Sequence, residues 1–430
     1  MSSSVLQQPA SVAAPSTPLA APPTGRLDVL DVLRGIALLG MYVVHFNDYA
    51  TSALEGSPAA ASAPVRVLES TISLFFDGRF YTMFGMLFGI GFALQLRRAD
   101  ARGERFTTRF VRRLAVLAVF GAIAEGVFGY NVLFGYALWG LPLLLIRRWP
   151  IRALVVLAVL CAASRPIYNV GRFAIVGRDR FVAETQAKAT AFRAASARRD
   201  TETESRDFRT VVAARARFMP IFHRQWSVLP WGSFTLFVVG LIWFRLGLFD
   251  QPEQHRRLIV ALMVAGAASW AIEDWGLPFG APIPQPLPKD ISTLGFLTAI
   301  ARTNGLMLFR DAWLAFTYIG AVLLLVAHDR SWLRRLASLG WAGRMALTNY
   351  MTQVIVLDVL FSKYGFGLTV TPFVGPLCAV TLFAAHALFS RWWLTRYRLG
   401  PLEWVWRSVT YWKLQPQRIA APVAGAVATA

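Results

Sequence analysis

Cysteine is almost absent from this chain of 430 residues, which has only Cys161 and Cys378. Both lie in apolar runs, so the sequence predicts neither a disulfide framework nor a cysteine zinc site. Histidine is also scarce, with five residues whose spacing matches no metal-binding motif. The chain has no nucleophile elbow, no phosphate-binding glycine loop with lysine and no HExxH. We therefore expect no metal and no bound cofactor.

Acidic residues are few, with 24 Asp and Glu against 44 Lys and Arg, which gives a net charge of +20. Only 16% of the residues are charged and 56% are hydrophobic. The arginines cluster at the ends of long apolar runs, which is typical of the cytoplasmic loops of membrane proteins. Because no nucleic-acid recognition motif is present, we expect the bilayer to be the partner, not nucleic acid.

The apolar runs predict an all-α fold, a polytopic transmembrane helical bundle of about ten spans. Each run is close to the roughly 20 residues that a bilayer requires. The predicted spans are 28–46, 71–96, 112–129, 131–147, 152–170, 230–249, 257–276, 311–328, 342–361 and 372–391.

The distribution of arginines gives the spans a direction. The loop 97–113 contains seven arginines and is predicted to be cytoplasmic, whereas the loop 47–70 is mostly acidic and faces out. Both termini are then cytoplasmic. Residues 171–227 fit badly, because they carry twelve Arg or Lys and would lie outside. The alternative is that 152–170 does not cross, but this would put the basic C-terminal tail outside.

These patterns divide the chain into five parts. They are a disordered tail (1–25), an N-terminal transmembrane half (26–170), a charged extramembrane helical insertion (171–229), a C-terminal transmembrane half (230–414) and a second disordered tail (415–430). We expect the insertion to be a lid or an interfacial layer, since no motif in it indicates substrate binding. Five prolines in 277–290 predict an irregular external loop, followed by a re-entrant or interfacial segment, 291–309.

The first span carries an unusual set of ionisable residues. Arg34 and His45 are eleven residues apart, which places them on one helix face and about 16 Å apart along the axis. Asp31 precedes Arg34 by three residues and Asp48 follows His45 by three, so each carboxylate is beside its neighbour. Ionisable groups inside a membrane need a partner or a function. A buried Asp–Arg pair that fixes helix packing would also explain this stripe.

The second span begins with Asp77 and Arg79, which form either a local ion pair or a contact with the site around His45. Its glycines predict a face that lets another helix approach closely; they are Gly85, Gly89 and Gly91.

Other polar residues lie further along the chain. In the ninth span Asn349 and Gln353 share a face, where they can bond neighbouring helices or line a site. Glu125 lies at the end of the third span, beside the short external turn, and we expect it to be solvated at the interface. The four other histidines are isolated and have no predicted role; they are His223, His255, His328 and His386.

Three segments resemble the YeiB-like membrane proteins, which contain domain of unknown function 418. They are LDVLRGIALLGM, FFDGRFYTMFGMLFGIGFALQ, and the C-terminal GRMALTNYMTQ with RYRLGPLEWVWRSVTYWK. The resemblance implies a bacterial inner-membrane protein related to acyltransferase family 3 and heparan-alpha-glucosaminide N-acetyltransferase. The spacing of Arg34 and His45 matches that of an Arg and a His in the first span of acyltransferase family 3. The YeiB-like pattern also has a His and a Gly-Asp near residues 123–131, where this chain has AIAEGVFGYN, with Asn131 near the Asp position.

The resemblance implies transfer of an acyl group from cytoplasmic acyl-CoA to an extracytoplasmic glycan or small molecule. Arg34, paired with Asp31, would hold the donor by charge-assisted hydrogen bonds. His45, oriented by Asp48, would act as a general base or carry the acyl group. The same polar stripe would also suit a small-molecule carrier or exporter, and a non-catalytic membrane scaffold is the third alternative.

Overall fold

The computed structural model describes residues 29–52, 62–130, 132–226, 232–274, 292, 294–295 and 307–419. Residues 1–25, Asn131, the loop 277–290 and most of 291–309 lie outside these ranges. Within them the chain is helical and has no β-strand, which confirms the all-α prediction.

The helices are α1 (Val29–Ser52), α2 (Ala63–Phe75), α3 (Arg79–Ala101), α4 (Phe106–Gly126), α5 (Val132–Gly140), α6 (Leu143–Ile146), α7 (Ile151–Ala162), α8 (Ser164–Val176), α9 (Arg178–Thr203), α10 (Phe208–Trp226), α11 (Ser233–Arg245), α12 (Arg256–Asp274), α13 (Met307–His328), α14 (Trp332–Arg335), α15 (Ala337–Arg344), α16 (Ala346–Phe361), α17 (Val374–Leu394) and α18 (Pro401–Tyr411).

Several predicted spans are divided between two helices. The run 71–96 breaks before α3 at Gly78, which has a φ of 75°, a left-handed conformation that glycine adopts without strain. The run 152–170 bends by 52° between α7 and α8. Pro166 lies in the first turn of α8, where a residue without an N–H is tolerated. In the interior of a continuous helix, the same proline would remove a hydrogen bond. Similar breaks separate α5 from α6 and α15 from α16.

The prediction of ten spans is not confirmed. In the described ranges, only α1 and α17 are long and apolar enough to cross a bilayer, and a third span results if α7 and α8 count as one. One physical reason is that several of the apolar helices are short. Helix α11, for example, has 13 residues and is about 20 Å long, shorter than a hydrocarbon core of about 30 Å.

Helix α1 lies at the centre of the bundle, in contact with α3, α13, α15, α16 and α17. Its approach to α15 depends on two glycines. A Cβ on Gly35 would lie 2.0 Å from the carbonyl oxygen of Leu339, and one on Gly343 would lie 1.9 Å from that of Asp31. This central position buries the side chains of α1 on several faces.

The charged segment forms helices, as the sequence predicts, and these are α9 and α10. They pack on each other, and α10 also packs on α4. Asp207 caps the start of α10 by accepting hydrogen bonds from the backbone N–H of Thr210 at 2.9 Å and from its hydroxyl at 2.7 Å. Helix α10 is therefore a fixed part of the structure beside the end of α4.

Candidate functional site

The imidazole of His45 is buried near the C-terminal end of α1, with 8% of the residue exposed. Two tyrosine rings surround it: the centroid of Tyr130 is 4.6 Å away and that of Tyr350 is 6.3 Å away. The amide nitrogen of Gln353 lies 3.3 Å from Nδ1 of His45. Segments distant in the sequence, α1, α16 and the turn after α4, thus meet at this histidine.

Two buried polar atoms in this cluster have no hydrogen-bond partner within the described ranges. They are the hydroxyl oxygen of Tyr350 and Oε1 of Gln353. Leaving such groups unpaired costs about 1–3 kcal/mol each, so native structures rarely retain them without a functional reason. If the amide of Gln353 turns over, its oxygen accepts the Nδ1 proton of His45, and Nε2 of the imidazole then carries the lone pair. That tautomer is the one a base or nucleophile requires.

Glu125 and His223 form a second pair beside this cluster. Nε2 of His223 lies 2.7 Å from Oε2 of Glu125. The sequence predicts a solvated Glu125, but this prediction is wrong, because the residue is 5% exposed. It is buried because α10 packs over the end of α4. The sequence does not predict the pairing with His223, which lies 98 residues from Glu125. The signal in the sequence is the carboxylate of Glu125 itself, at the end of an apolar span.

A further ion pair joins α10 to the end of α16. Arg215 donates to Oδ1 of Asp358 at 2.7 Å and to the carbonyl oxygen of Val127 at 2.5 Å. Asp358 is fully buried and also accepts hydrogen bonds from Ser362 and Tyr364. These contacts fix α10 to α16 and to the turn after α4, two of the three segments that meet at His45.

The N-terminal part of α1 contains the predicted Asp31–Arg34 pair, which is confirmed with an N–O distance of 2.7 Å. Arg34 keeps 31% of its side chain exposed. Arg113 lies close enough to Arg34 for the two charges to repel, and its guanidinium stacks on the ring of Trp406 at 3.6 Å. Because α1 is one continuous helix, this basic region and His45 share one face about 16 Å apart.

Asp48 lies exposed near the end of α1, close enough to Asp77 for their charges to repel. The amide of Gln353 lies within hydrogen-bonding distance of the His45 imidazole. Asp77 is also exposed. Arg79 is 1% exposed and donates to the backbone carbonyl of Asp77 at 2.5 Å.

Asn349 and Gln353 share a face, as their spacing predicts, but they contact different neighbours. The side-chain nitrogen of Asn349 donates to the carbonyl oxygen of Ala342 and to the hydroxyl of Ser390, both at 3.0 Å. Asn349 therefore joins α16 to α15 and α17. Gln353, one turn later, contacts His45.

Comparison with known proteins gives two family matches. Residues 243–413 match the family described as protein of unknown function (DUF418). Residues 26–186 match the catalytic model of heparan-alpha-glucosaminide N-acetyltransferase. This second region contains α1 and the turn with Glu125.

Whole-chain relatives are uncharacterised. The chain is 30% identical over 416 residues to the uncharacterised protein YxaH of Bacillus subtilis, covering 91% of this chain and 96% of the relative. It is 27% identical to an uncharacterised 39.9 kDa protein of Bacillus acidopullulyticus, covering 90% and 94%. A segment of 68 residues is 38% identical to the uncharacterised protein YeiB of Escherichia coli, covering 16% and 18%. No solved structure matches significantly.

Proposed function

Because this chain belongs to the DUF418 family and its N-terminal region matches an N-acetyltransferase catalytic model, we propose that it is a membrane-bound acyltransferase. It would move an acyl group from cytoplasmic acyl-CoA to a hydroxyl or amine of an extracytoplasmic glycan or small molecule. The observation that carries the proposal is the buried imidazole of His45, with unpaired polar atoms of Tyr350 and Gln353 beside it.

The proposed membrane arrangement retains ten crossings in a bacterial inner membrane. Apolar helices shorter than a bilayer, such as α11 and α16, cross within the bundle, where packed neighbours cover their ends. The basic loop 97–113 lies in the cytoplasm, and the N-terminal end of α1 faces the same side. Arg34 is then at the donor side and His45 is near the acceptor side.

Arg34 would hold a phosphate or the thioester end of acyl-CoA, since a guanidinium binds phosphate oxygens in a bidentate manner. The exposed part of its side chain leaves room for this contact, and Asp31 offsets its charge before the donor arrives. The distance of about 16 Å along α1 is comparable to an extended pantetheine arm, so the thioester would reach His45 while the nucleotide stays at the cytoplasmic surface.

His45 would act on the acceptor as a general base, or would take the acyl group itself. Gln353 holds the ring in place. The hydroxyl of Tyr350 is placed to donate a hydrogen bond to a carbonyl or acceptor oxygen, because it has no other partner in the described residues.

The test uses purified protein in detergent with labelled acetyl-CoA, and glucosamine and glucose as the amine and hydroxyl acceptors. Release of CoA is measured for wild type, His45→Ala and Arg34→Ala. We expect His45→Ala to lower kcat about 10²- to 10⁴-fold and Arg34→Ala to raise the KM for acetyl-CoA. His328→Ala, at the exposed end of α13, is the matched control. Wild type that neither binds nor turns over any acyl-CoA contradicts the proposal.

A small-molecule carrier is the second candidate, because buried polar atoms without partners also occur along transport pathways. Proteoliposomes distinguish the two functions. Flux of an acceptor molecule that does not depend on acyl-CoA and leaves it unacylated would favour the carrier.

A further inference from the structure

Glu125 is a buried carboxylate, with 5% of the residue exposed. Oε2 is paired with Nε2 of His223 at 2.7 Å, and no other hydrogen bond to the Glu125 side chain is seen within the described ranges. No arginine or lysine of the described chain forms an ion pair with it. A charge that is buried to this degree with a single partner is costly, and such groups are concentrated at functional sites.

The carboxylate faces the cluster around His45. The turn after α4 is closed by hydrogen bonds from Gly129 N–H to the carbonyl of Glu125 at 3.0 Å and from Tyr130 N–H to that of Ala124 at 2.9 Å. It places the ring of Tyr130 against His45. On the other side, Tyr350 is in contact with His45 and also lies close enough to Glu125 for electrostatic interaction. Tyr350 is thus close to both the imidazole of His45 and the carboxylate of Glu125.

His223 is held rigidly by α10. Arg215, two turns earlier on this helix, is bonded both to the turn after α4 and to Asp358 on α16. The ring of His223 is also in contact with Phe134. The carboxylate of Glu125 therefore has a partner whose position is fixed from outside α4.

We propose that Glu125 is the general base that takes the proton of the acceptor, and that His223 is the residue that positions it. This inference rests on the acyltransferase function proposed above. It assigns different tasks to the two ionisable groups, with acyl transfer through His45 and proton uptake at Glu125.

The acyl group is transferred in two steps. In the first, Nε2 of neutral His45 attacks the thioester carbon, a C–N bond forms, the C–S bond breaks, and CoA leaves as the thiolate. In the second, the acceptor oxygen or nitrogen attacks the acyl carbon of the acyl-imidazolium, and the C–N bond breaks to return neutral His45. The acceptor proton passes to the carboxylate of Glu125, which later releases it to water.

The experiment compares wild type, Glu125→Gln and His45→Ala with acetyl-CoA alone and with added glucosamine or glucose. Stoichiometric CoA release without acceptor and the intact mass of the protein report the first step, and acetylated product reports the second. Glu125→Gln should release one equivalent of CoA and retain an acetyl group, yet form product about 10²- to 10⁴-fold more slowly. His45→Ala should fail at the first step.

His223→Gln should slow product formation less than Glu125→Gln does. It should lower kcat and leave the first step intact. Glu253→Gln, in the exposed loop before α12, is the matched control, and size-exclusion chromatography reports whether each variant remains folded. Product formation by Glu125→Gln at the wild-type rate overturns the inference, and so does loss of the first step in a folded Glu125→Gln protein. Both results leave the acyltransferase function standing, whereas a wild type without CoA release contradicts that function and the inference with it.

Discussion

The orientation of His45 depends on Gln353, because the amide of Gln353 makes the one hydrogen bond to the ring that is seen among the described residues. A carboxylate in that place would add a charge to a region buried on all sides. A neutral amide fixes the ring without that cost. It also leaves the imidazole neutral, which is the form that a nucleophile or base requires.

Replacing Gln353 with leucine should impair catalysis more than folding. Nδ1 of His45 loses its partner in Gln353→Leu, and we expect kcat to fall about 10- to 100-fold, the equivalent of one lost hydrogen bond of about 1–3 kcal/mol. Gln353→Glu keeps an acceptor for the Nδ1 proton and should retain more activity than Gln353→Leu. Steady-state CoA release measures both.

Gln95→Leu provides the control for Gln353→Leu, because Gln95 lies on α3 and its side-chain nitrogen donates to the backbone carbonyl of Gly91 on the same helix. Equal activity of Gln353→Leu and Gln95→Leu would show that the contact with His45 has no catalytic role.

Local spacing predicts part of this site. Asp31 and Arg34 are three residues apart on one helix, so their pairing follows from helix geometry. The partners of His45 and Glu125 come instead from α16 and α10, which are hundreds of residues and 98 residues away. No periodicity encodes such contacts, since they depend on how the helices pack. The local spacing of Asp48 could not show that Gln353 also reaches the ring of His45.

Among the helices, packing of α3 on α11 depends on small residues at the contact. A Cβ on Gly89 would lie 2.0 Å from the carbonyl oxygen of Phe237, whereas one on Gly91 would meet nothing within 4 Å. The prediction of a small-residue face is thus confirmed for Gly89 but is wrong for Gly91. A sequence shows the glycines without showing which of them the neighbouring helix approaches.

These two glycines allow a matched test of helix packing. Gly89→Ala should destabilise the protein by about 1–3 kcal/mol, because α3 and α11 must separate to admit the methyl group. Gly91→Ala should be neutral or stabilising by about 0.5–1 kcal/mol, because alanine favours the helix. Thermal unfolding in detergent measures both, and equal midpoints would contradict the close contact at Gly89.

The start of α10 should depend on pH through its cap. Hydrogen bonds from the hydroxyl and the backbone N–H of Thr210 lower the pKa of Asp207 below its ordinary value. The folded state therefore binds fewer protons at this group than the unfolded chain does. The stability from the cap is fully present above the ordinary pKa of an aspartate and is lost as pH falls through the lowered value.

Hydrogen exchange measures this effect. The first turn of α10 should exchange faster, relative to the rest of the helix, as the pH is lowered from about 6 to about 3. Asp207→Ala should show fast exchange at both pH values. A first turn in wild type that is equally protected at both would contradict this role of the cap.

At the scale of the whole bundle, hydropathy predicts where helices form but not where they break. Within the described ranges, each predicted span contains helix, because long apolar runs favour helix wherever they lie. Breaks at Gly78, at Pro166 and near Met345 are not visible in hydropathy, and they convert single runs into pairs of helices. Helices shorter than the bilayer core cross a membrane only when neighbouring helices cover their ends. The number of crossings therefore depends on the assembled bundle.

Labelling with a membrane-impermeant maleimide tests the ten-span arrangement directly. In a variant without Cys161 and Cys378, we expect Ala187→Cys on α9 to react in intact cells, since ten crossings put the insertion outside. Ala101→Cys, at the end of α3, should react only after permeabilisation, because its loop is cytoplasmic. Both positions are exposed, so accessibility within the protein does not limit the reaction. Labelling of both positions in intact cells, or of neither, would show that the number of crossings between α3 and α9 is not three, and α7 and α8 would then form a re-entrant pair.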